Sequence, residues 1–149
     1  MIDEPASRPF SADAYVAFYE NLTPETLQDL AKVAHEDIRF KDPFNDVVGI
    51  KAYSNVLADM FRVTPDISFE VLHRAYDQDV CFLRWNCQAT VKALGKSSWK
   101  VQGMSELRFA SDGRVVAHFD YWDASTQFYN RLPVVGWLIR LIRRRVAAH

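Results

Sequence analysis

From Ile67 to Asp123 the chain alternates apolar and polar residues in four runs: ISFEVLHRAYD, DVCFLRWNCQATV, SWKVQGMSELRFA and RVVAHFDYWD. Alternation with a period of two marks strands that bury one face and expose the other. The runs are joined by Asp77-Gln78-Asp79, Leu94-Gly95-Lys96 and Ser111-Asp112-Gly113. Each connection has the length and composition of a hairpin or near-hairpin turn. Such a series leaves few choices beyond an antiparallel meander, and one apolar face of that meander must be covered by whatever else the chain provides.

The cover comes first in sequence. Ser11 can cap a helix through ADAYVAFYENL, where Tyr15, Phe18, Tyr19 and Leu22 form a helical stripe. Thr23-Pro24-Glu25 restarts a helix, with Thr as cap and Pro in the first turn, and PETLQDLAKVA continues it. A short strand, DIRFKDP, puts Ile38, Phe40 and Asp42 on one face and stops at Pro43. Gly49 opens a third helix, GIKAYSNVLADMFRV. After the meander come STQFYNRL and, beyond the break at Pro133, PVVGWLIRLIRRRV. Helices segregated from a meander predict an α+β fold, a curved antiparallel sheet wrapped by N-terminal helices around a conical cavity. The expected divisions are a leader at 1–10, a domain at 11–131 and a basic amphipathic C-terminal helix at 132–149.

The 149 residues suit one domain, and 49% hydrophobic with 13% aromatic content supplies one aromatic-rich core or pocket. A net charge of −1 gives no global field for nucleic acid, so no nucleic-acid partner is expected. Cys81 and Cys87 share one face of one strand, too far apart for a disulfide and too few for a zinc site, and read as buried thiols. The N-terminus lacks a secretory pattern and no apolar run can span a bilayer, so the expected location is cytoplasmic.

Three segments carry a resemblance: FKDPFNDVVG, SELRFASDGRVVAHFDYWD and the helix opening at Gly49. Together with the element order, over about residues 11–146, they resemble the nuclear transport factor 2-like superfamily and its SnoaL-like domains, related to ketosteroid isomerase and limonene epoxide hydrolase. The isomerase pattern implies a general-base role for Asp42, which otherwise simply turns the chain before Pro43. It implies a hydroxyl donor at Tyr19, with Tyr15 one turn earlier as a rival. Ser105 stands where that pattern has an aspartic acid. The epoxide hydrolase pattern implies an inward pair, Arg84 and Asn86, with an amide in place of a carboxylate, and a second acidic position at Asp120.

On that alignment Arg84 would pair with Asp120 or Asp42 inside the cavity, since an unpaired buried charge is costly. His118, Asp120 and Trp122 share a strand face, so His118 serves either as acid or base or as a core histidine, and Trp122 forms a wall. Phe40, in register with Asp42, shares that lining. With Arg84 and Asn86 inward, Cys81, Leu83, Trp85 and Cys87 would make an apolar outer face suited to a homodimer. No cofactor and no metal are implied.

The last helix has an apolar face (Val134, Val135, Leu138, Ile142), a basic face (Arg140, Arg143, Arg144) and Trp137 at the border. It either closes the mouth of the cone or meets an anionic membrane surface through residues 133–146. Two function classes follow. One is an isomerase, cyclase or hydrolase acting on a small hydrophobic molecule with a polar oxygen. The other is a non-catalytic ligand-binding or protein- or membrane-interaction module.

Overall fold

The computed structural model describes residues 10–95 and 98–147. The expected leader at 1–10 thus lies almost wholly outside the described residues, as do Lys96 in the second connection and the last two residues of 132–149. Helix α1 (Asp13–Glu20) is followed by a 3-10 turn (Thr26–Asp29), the one-turn α2 (Leu30–Val33), β1 (Ala34–Lys41) and β2 (Asp46–Val48). Helix α3 (Ile50–Val63) leads into β3 (Ser68–Asp77), β4 (Val80–Thr90), β5 (Ser98–Phe109) and β6 (Val115–Tyr121). The chain ends in α4 (Ala124–Gln127), a 3-10 turn at Tyr129–Arg131 and α5 (Pro133–Val146).

The six strands form one sheet in the order β2-β1-β6-β5-β4-β3. The meander β3 to β6 is antiparallel throughout. β1 pairs parallel with β6, so the sheet is mixed rather than wholly antiparallel. This pairing follows from the helix α3 and the meander lying between them: the chain returns to β1's side only after four strands. β2, too short to signal itself in sequence, folds back on β1 through the Asp42–Asn45 turn.

Pleating sorts each strand's residues between the two faces. On β4, Cys81, Leu83, Trp85, Cys87 and Ala89 are buried while Phe82, Arg84 and Gln88 are exposed. The inner face continues with Trp99, Val101, Ser105 and Leu107 on β5, and with Val115 and His118 on β6. Helix α1 covers this face at β3, and α3 covers it at β1. Tyr15, Val16 and Phe18 from α1 and Tyr53, Leu57 and Phe61 from α3 meet the strand residues in one core.

Two sequence expectations are corrected here. Arg84 and Asn86 lie on the outer face of β4, because the apolar residues that alternate with them, Trp85 included, take the inner one. The face proposed for a homodimer, Cys81/Leu83/Trp85/Cys87, is therefore the interior. The second correction concerns α5. Its one buried residue is Gly136, seated on the Asn130 carbonyl, where an added Cβ would come within 2.3 Å of the oxygen. The apolar residues Val134, Trp137, Leu138 and Ile142 stay exposed, so the helix does not close the cone by burying them.

Candidate functional site

Between the inner sheet face and the helices lies a cavity of about 420 Å³. Its walls are apolar and aromatic: Phe40, Leu57, Met60, Phe69, Trp85, Trp99 and Trp122 among others. Phe44 and Val63, 48% and 55% exposed, line the same space and mark its mouth. Three polar side chains reach it from the predicted set: Tyr19, Asp42 and Asp120.

Asp120 sits at the centre of a buried polar cluster. His118 and Asp120 are two residues apart on β6 and so share its inner face, and the His118 Nε2–H donates to Asp120 Oδ1 at 2.7 Å. Ser105 lies directly across from Asp120 on β5, and its hydroxyl donates to the same oxygen. The Trp85 indole N–H, in turn, donates to Ser105 Oγ at 2.8 Å. This works because Trp85 pairs with Gly103, whose missing side chain lets the indole lie flat over β5. The other carboxylate oxygen, Oδ2, takes no hydrogen bond among the described residues, and the side chain is 16% exposed, on the cavity side.

His118 is buried and uses its second nitrogen as well. With Nε2 donating to Asp120, Nδ1 carries the lone pair and accepts from the Tyr15 hydroxyl at 2.8 Å. Tyr53 bonds to Tyr15 at 2.8 Å and approaches Nδ1 at 3.2 Å, and Tyr19 bonds to Tyr53. Tyr15 and Tyr19 are one helical turn apart, so both project from the same face of α1. The result is a continuous chain, Asp120–His118–Tyr15–Tyr53–Tyr19, with a cavity-lining group at each end. Burial raises the pKa of all three tyrosines, with the negative charge of Asp120 adding to the effect on Tyr15 and Tyr19. They therefore stay protonated and act as donors. Phe40, cross-strand from His118, stacks on Tyr53 with ring centroids 4.6 Å apart and meets the His118 ring edge-on at 5.1 Å.

Asp42 lines the cavity at the end of β1, but its oxygens are occupied. Oδ1 accepts from the backbone N–H of Phe44 (2.7 Å) and Asn45 (2.6 Å), and the Asn45 side-chain amide donates to both oxygens. This closes the turn into β2. Desolvation still raises its pKa, against the pull of those donors and with help from the Asp120 charge. Trp122, just past β6, stands edge-on to Trp99 and Phe44 as a wall.

Of the predicted residues the structure brings together Asp120, His118, Ser105, Tyr19, Phe40, Trp122 and, at the rim of the cluster, Asp42. It separates Arg84 and Asn86 from them, across the thickness of the sheet. Neither carboxylate pairs with an arginine among the described residues; Asp120 takes His118 instead. Asn86 Oδ1 is buried on the outer side without a hydrogen bond among the described residues. Two members of the site escaped sequence reasoning. Tyr53 looked like one more apolar position in the α3 stripe, yet it is fully buried at the junction of the hydroxyl chain. Trp85, expected on the outer face of β4, lies on the inner one.

The SnoaL-like domain family matches residues 15–118 of the chain. No curated protein matches it. Among solved structures it is similar to a SnoaL-like polyketide cyclase of Agrobacterium tumefaciens, at 17% identity over 79% of this chain and 93% of that one, with a TM-score of 0.64. A protein with a ketosteroid isomerase-like fold from Catenulispora acidiphila, in complex with trimethylamine, gives 0.69 at 15% identity over 85% and 95%. An NTF2-like protein of unknown function from Exiguobacterium sp. 255-15 gives 0.64 at 19% identity over 74% and 96%. At these identities the structures speak for the fold alone, while the family match spans most of the domain that encloses the cavity. The chain belongs to the SnoaL-like domain family.

Proposed function

We propose that the protein binds a small, largely apolar molecule bearing a carbonyl or similar oxygen and moves a proton on it. The observation that carries this reading is the Asp120 carboxylate: one oxygen is held by His118 and Ser105, and the other is left toward an apolar cavity. Packing does not need a carboxylate there, and a fixed base at the floor of an apolar pocket is what proton abstraction needs. A cavity of about 420 Å³ lies in the range that encloses drug-sized ligands.

In this reading Asp120 Oδ2 takes a proton from a carbon next to the ligand's carbonyl. The electron pair moves to the carbonyl oxygen, and Tyr19 donates a hydrogen bond to it. Tyr53 then turns its hydroxyl toward Tyr19 while Tyr15 keeps donating to His118, so the developing oxyanion is backed by buried, preorganised donors. Asp120 returns the proton to another atom of the ligand, which leaves the enzyme as it began and makes the reaction an isomerisation. If the enolate instead attacks a second carbonyl of the same molecule, a carbon–carbon bond forms and the proton goes to the new alkoxide, closing a ring. Asp42 serves the turn into β2, where Phe44 and Asn45 hold its oxygens. The name polyketide cyclase belongs to a structural relative, and it supports this class of chemistry for the present chain by analogy.

The test needs no knowledge of the natural substrate. A panel of cyclic ketones and enones is incubated in D2O, and exchange of the α-hydrogens is followed by NMR. Wild type should exchange at least one of them. Asp120→Asn should lose about 10²–10⁴-fold of that rate while keeping its unfolding midpoint, because the amide oxygen still accepts from His118 and Ser105. Exchange that is equal in the two proteins would end the proposal.

A further inference from the structure

Helix α5 is attached to the body by its wrong side. An amphipathic helix ordinarily buries its apolar stripe. Here the buried residue is Gly136, and Arg140 on the same side donates to the Asn130 carbonyl at 2.9 Å. The i, i+3, i+4, i+7, i+8 series Val134, Trp137, Leu138, Leu141 and Ile142 is exposed at 79%, 61%, 49%, 36% and 53%. The contact at Asn130 leaves little slack for the helix to roll over, since the Gly136 backbone lies against that carbonyl.

Charge identifies the kind of surface that would cover the stripe. Residues 124–149 hold five of the chain's 18 basic residues and none of its 19 acidic ones, so residues 1–123 carry 13 against 19, a net of −6. Arg143, Arg144 and Arg145 end the helix and are exposed. Pairing two α5 helices would set arginines against arginines with no acidic side chain on either helix to offset them. Fourteen residues span about 21 Å, short of the roughly 30 Å hydrocarbon core, so the helix cannot cross a bilayer. An in-plane helix with Trp and Leu on one side and several arginines is instead suited to the interface of a negatively charged membrane.

We infer that α5 lays its Val134–Ile142 stripe in the surface of an anionic lipid bilayer and anchors the domain there reversibly. The anchor is close to the cavity. Phe44 at the mouth packs edge-on against Phe128 and Tyr129, and α5 leaves the Tyr129–Arg131 turn directly. Docking would therefore hold the mouth near the membrane, a favourable position for taking up an apolar ligand. The inference does not depend on the chemistry proposed for the cavity, because lipid binding is measured without any ligand.

The full chain is sedimented with vesicles of phosphatidylcholine containing 30% phosphatidylglycerol, and with pure phosphatidylcholine. Binding is expected to the first and to be at least tenfold weaker to the second. The triple change Arg143→Gln, Arg144→Gln, Arg145→Gln should weaken it by about a hundredfold, at about a factor of five for each arginine. Leu138→Glu with Leu141→Glu should abolish it; both sites are exposed, so far-ultraviolet circular dichroism should not change. The lipid-induced blue shift of tryptophan emission should vanish in Trp137→Phe. Equal binding to both vesicles, or full retention by the arginine variant, would overturn the inference. So would a lipid-free oligomer that Leu138→Glu with Leu141→Glu dissolves, or binding to an RNA duplex in place of vesicles.

Discussion

Gly103→Ala should damage the site without replacing any of its polar groups. The added methyl would come within 2.4 and 2.5 Å of the Cζ2 and Cη2 atoms of Trp85, where carbon atoms normally sit about 3.5–4.0 Å apart. The indole must therefore move by about 1 Å. Its hydrogen bond to Ser105, now 2.8 Å, cannot survive such a shift if the movement is outward. Overpacking costs about 1–3 kcal/mol and the lost bond about 1 more, while the stiffer unfolded chain returns about 0.4–1 kcal/mol. The net loss is about 1–3.6 kcal/mol, or about 2–14 °C in Tm for a chain of this size. Urea unfolding followed by tryptophan fluorescence measures it. In a Trp85→Leu background the clash is gone, and the same substitution should cost under about 0.5 kcal/mol. A Gly103→Ala protein as stable as wild type, or an equal cost in both backgrounds, would refute the argument. Loss of the Trp85–Ser105 link should also slow ketone exchange, since Ser105 then loses the donor that fixes it beneath Asp120.

Asp42 has a raised pKa, so its folded form holds a proton more tightly than the unfolded chain does. Its contribution is complete below about pH 3.8 and declines as pH rises toward the raised value. Urea unfolding of wild type and Asp42→Asn between pH 3 and 7 should show wild type losing ground with rising pH; a constant difference would contradict this. Arg84→Ala should leave ligand affinity within about twofold, since the guanidinium lies on the far side of the sheet; a tenfold loss by calorimetry would return it to the cavity. Cys87 is buried, which pushes its thiol up to about 12, and Cys81 is fully buried. Both should resist Ellman's reagent at pH 8 in native protein and react at once in urea; a fast-reacting thiol in the native state would show that the inner face opens.

The pairing of His118 with Asp120 was legible because two residues apart on a strand means one face, whatever the tertiary context. The same rule applied to β4 yielded two possible faces and could not choose between them. The resemblance to an epoxide hydrolase favoured Arg84 and Asn86 inward, but Cys81, Leu83, Trp85 and Cys87 bury far more apolar area, and burial decides. Tyr53 was invisible as a polar residue because a tyrosine on an apolar stripe serves packing and hydrogen bonding with the same side chain. Asp42 was visible as a cavity carboxylate, while its bonds to Phe44, Asn45 and the β2 turn were not, since β2 is only three residues long.

Periodicity and turn composition, properties of neighbouring residues, determined the elements other than β2, their order, the α+β class and the amphipathic character of α5. Which face of each strand turned inward, which side of α5 met the body and how five polar groups joined into one chain were decided only by tertiary structure. Those outcomes depend on contacts between residues as far apart as Tyr15 and His118. They are set by competition for buried area and for hydrogen-bond partners across the whole domain, which local pattern does not encode.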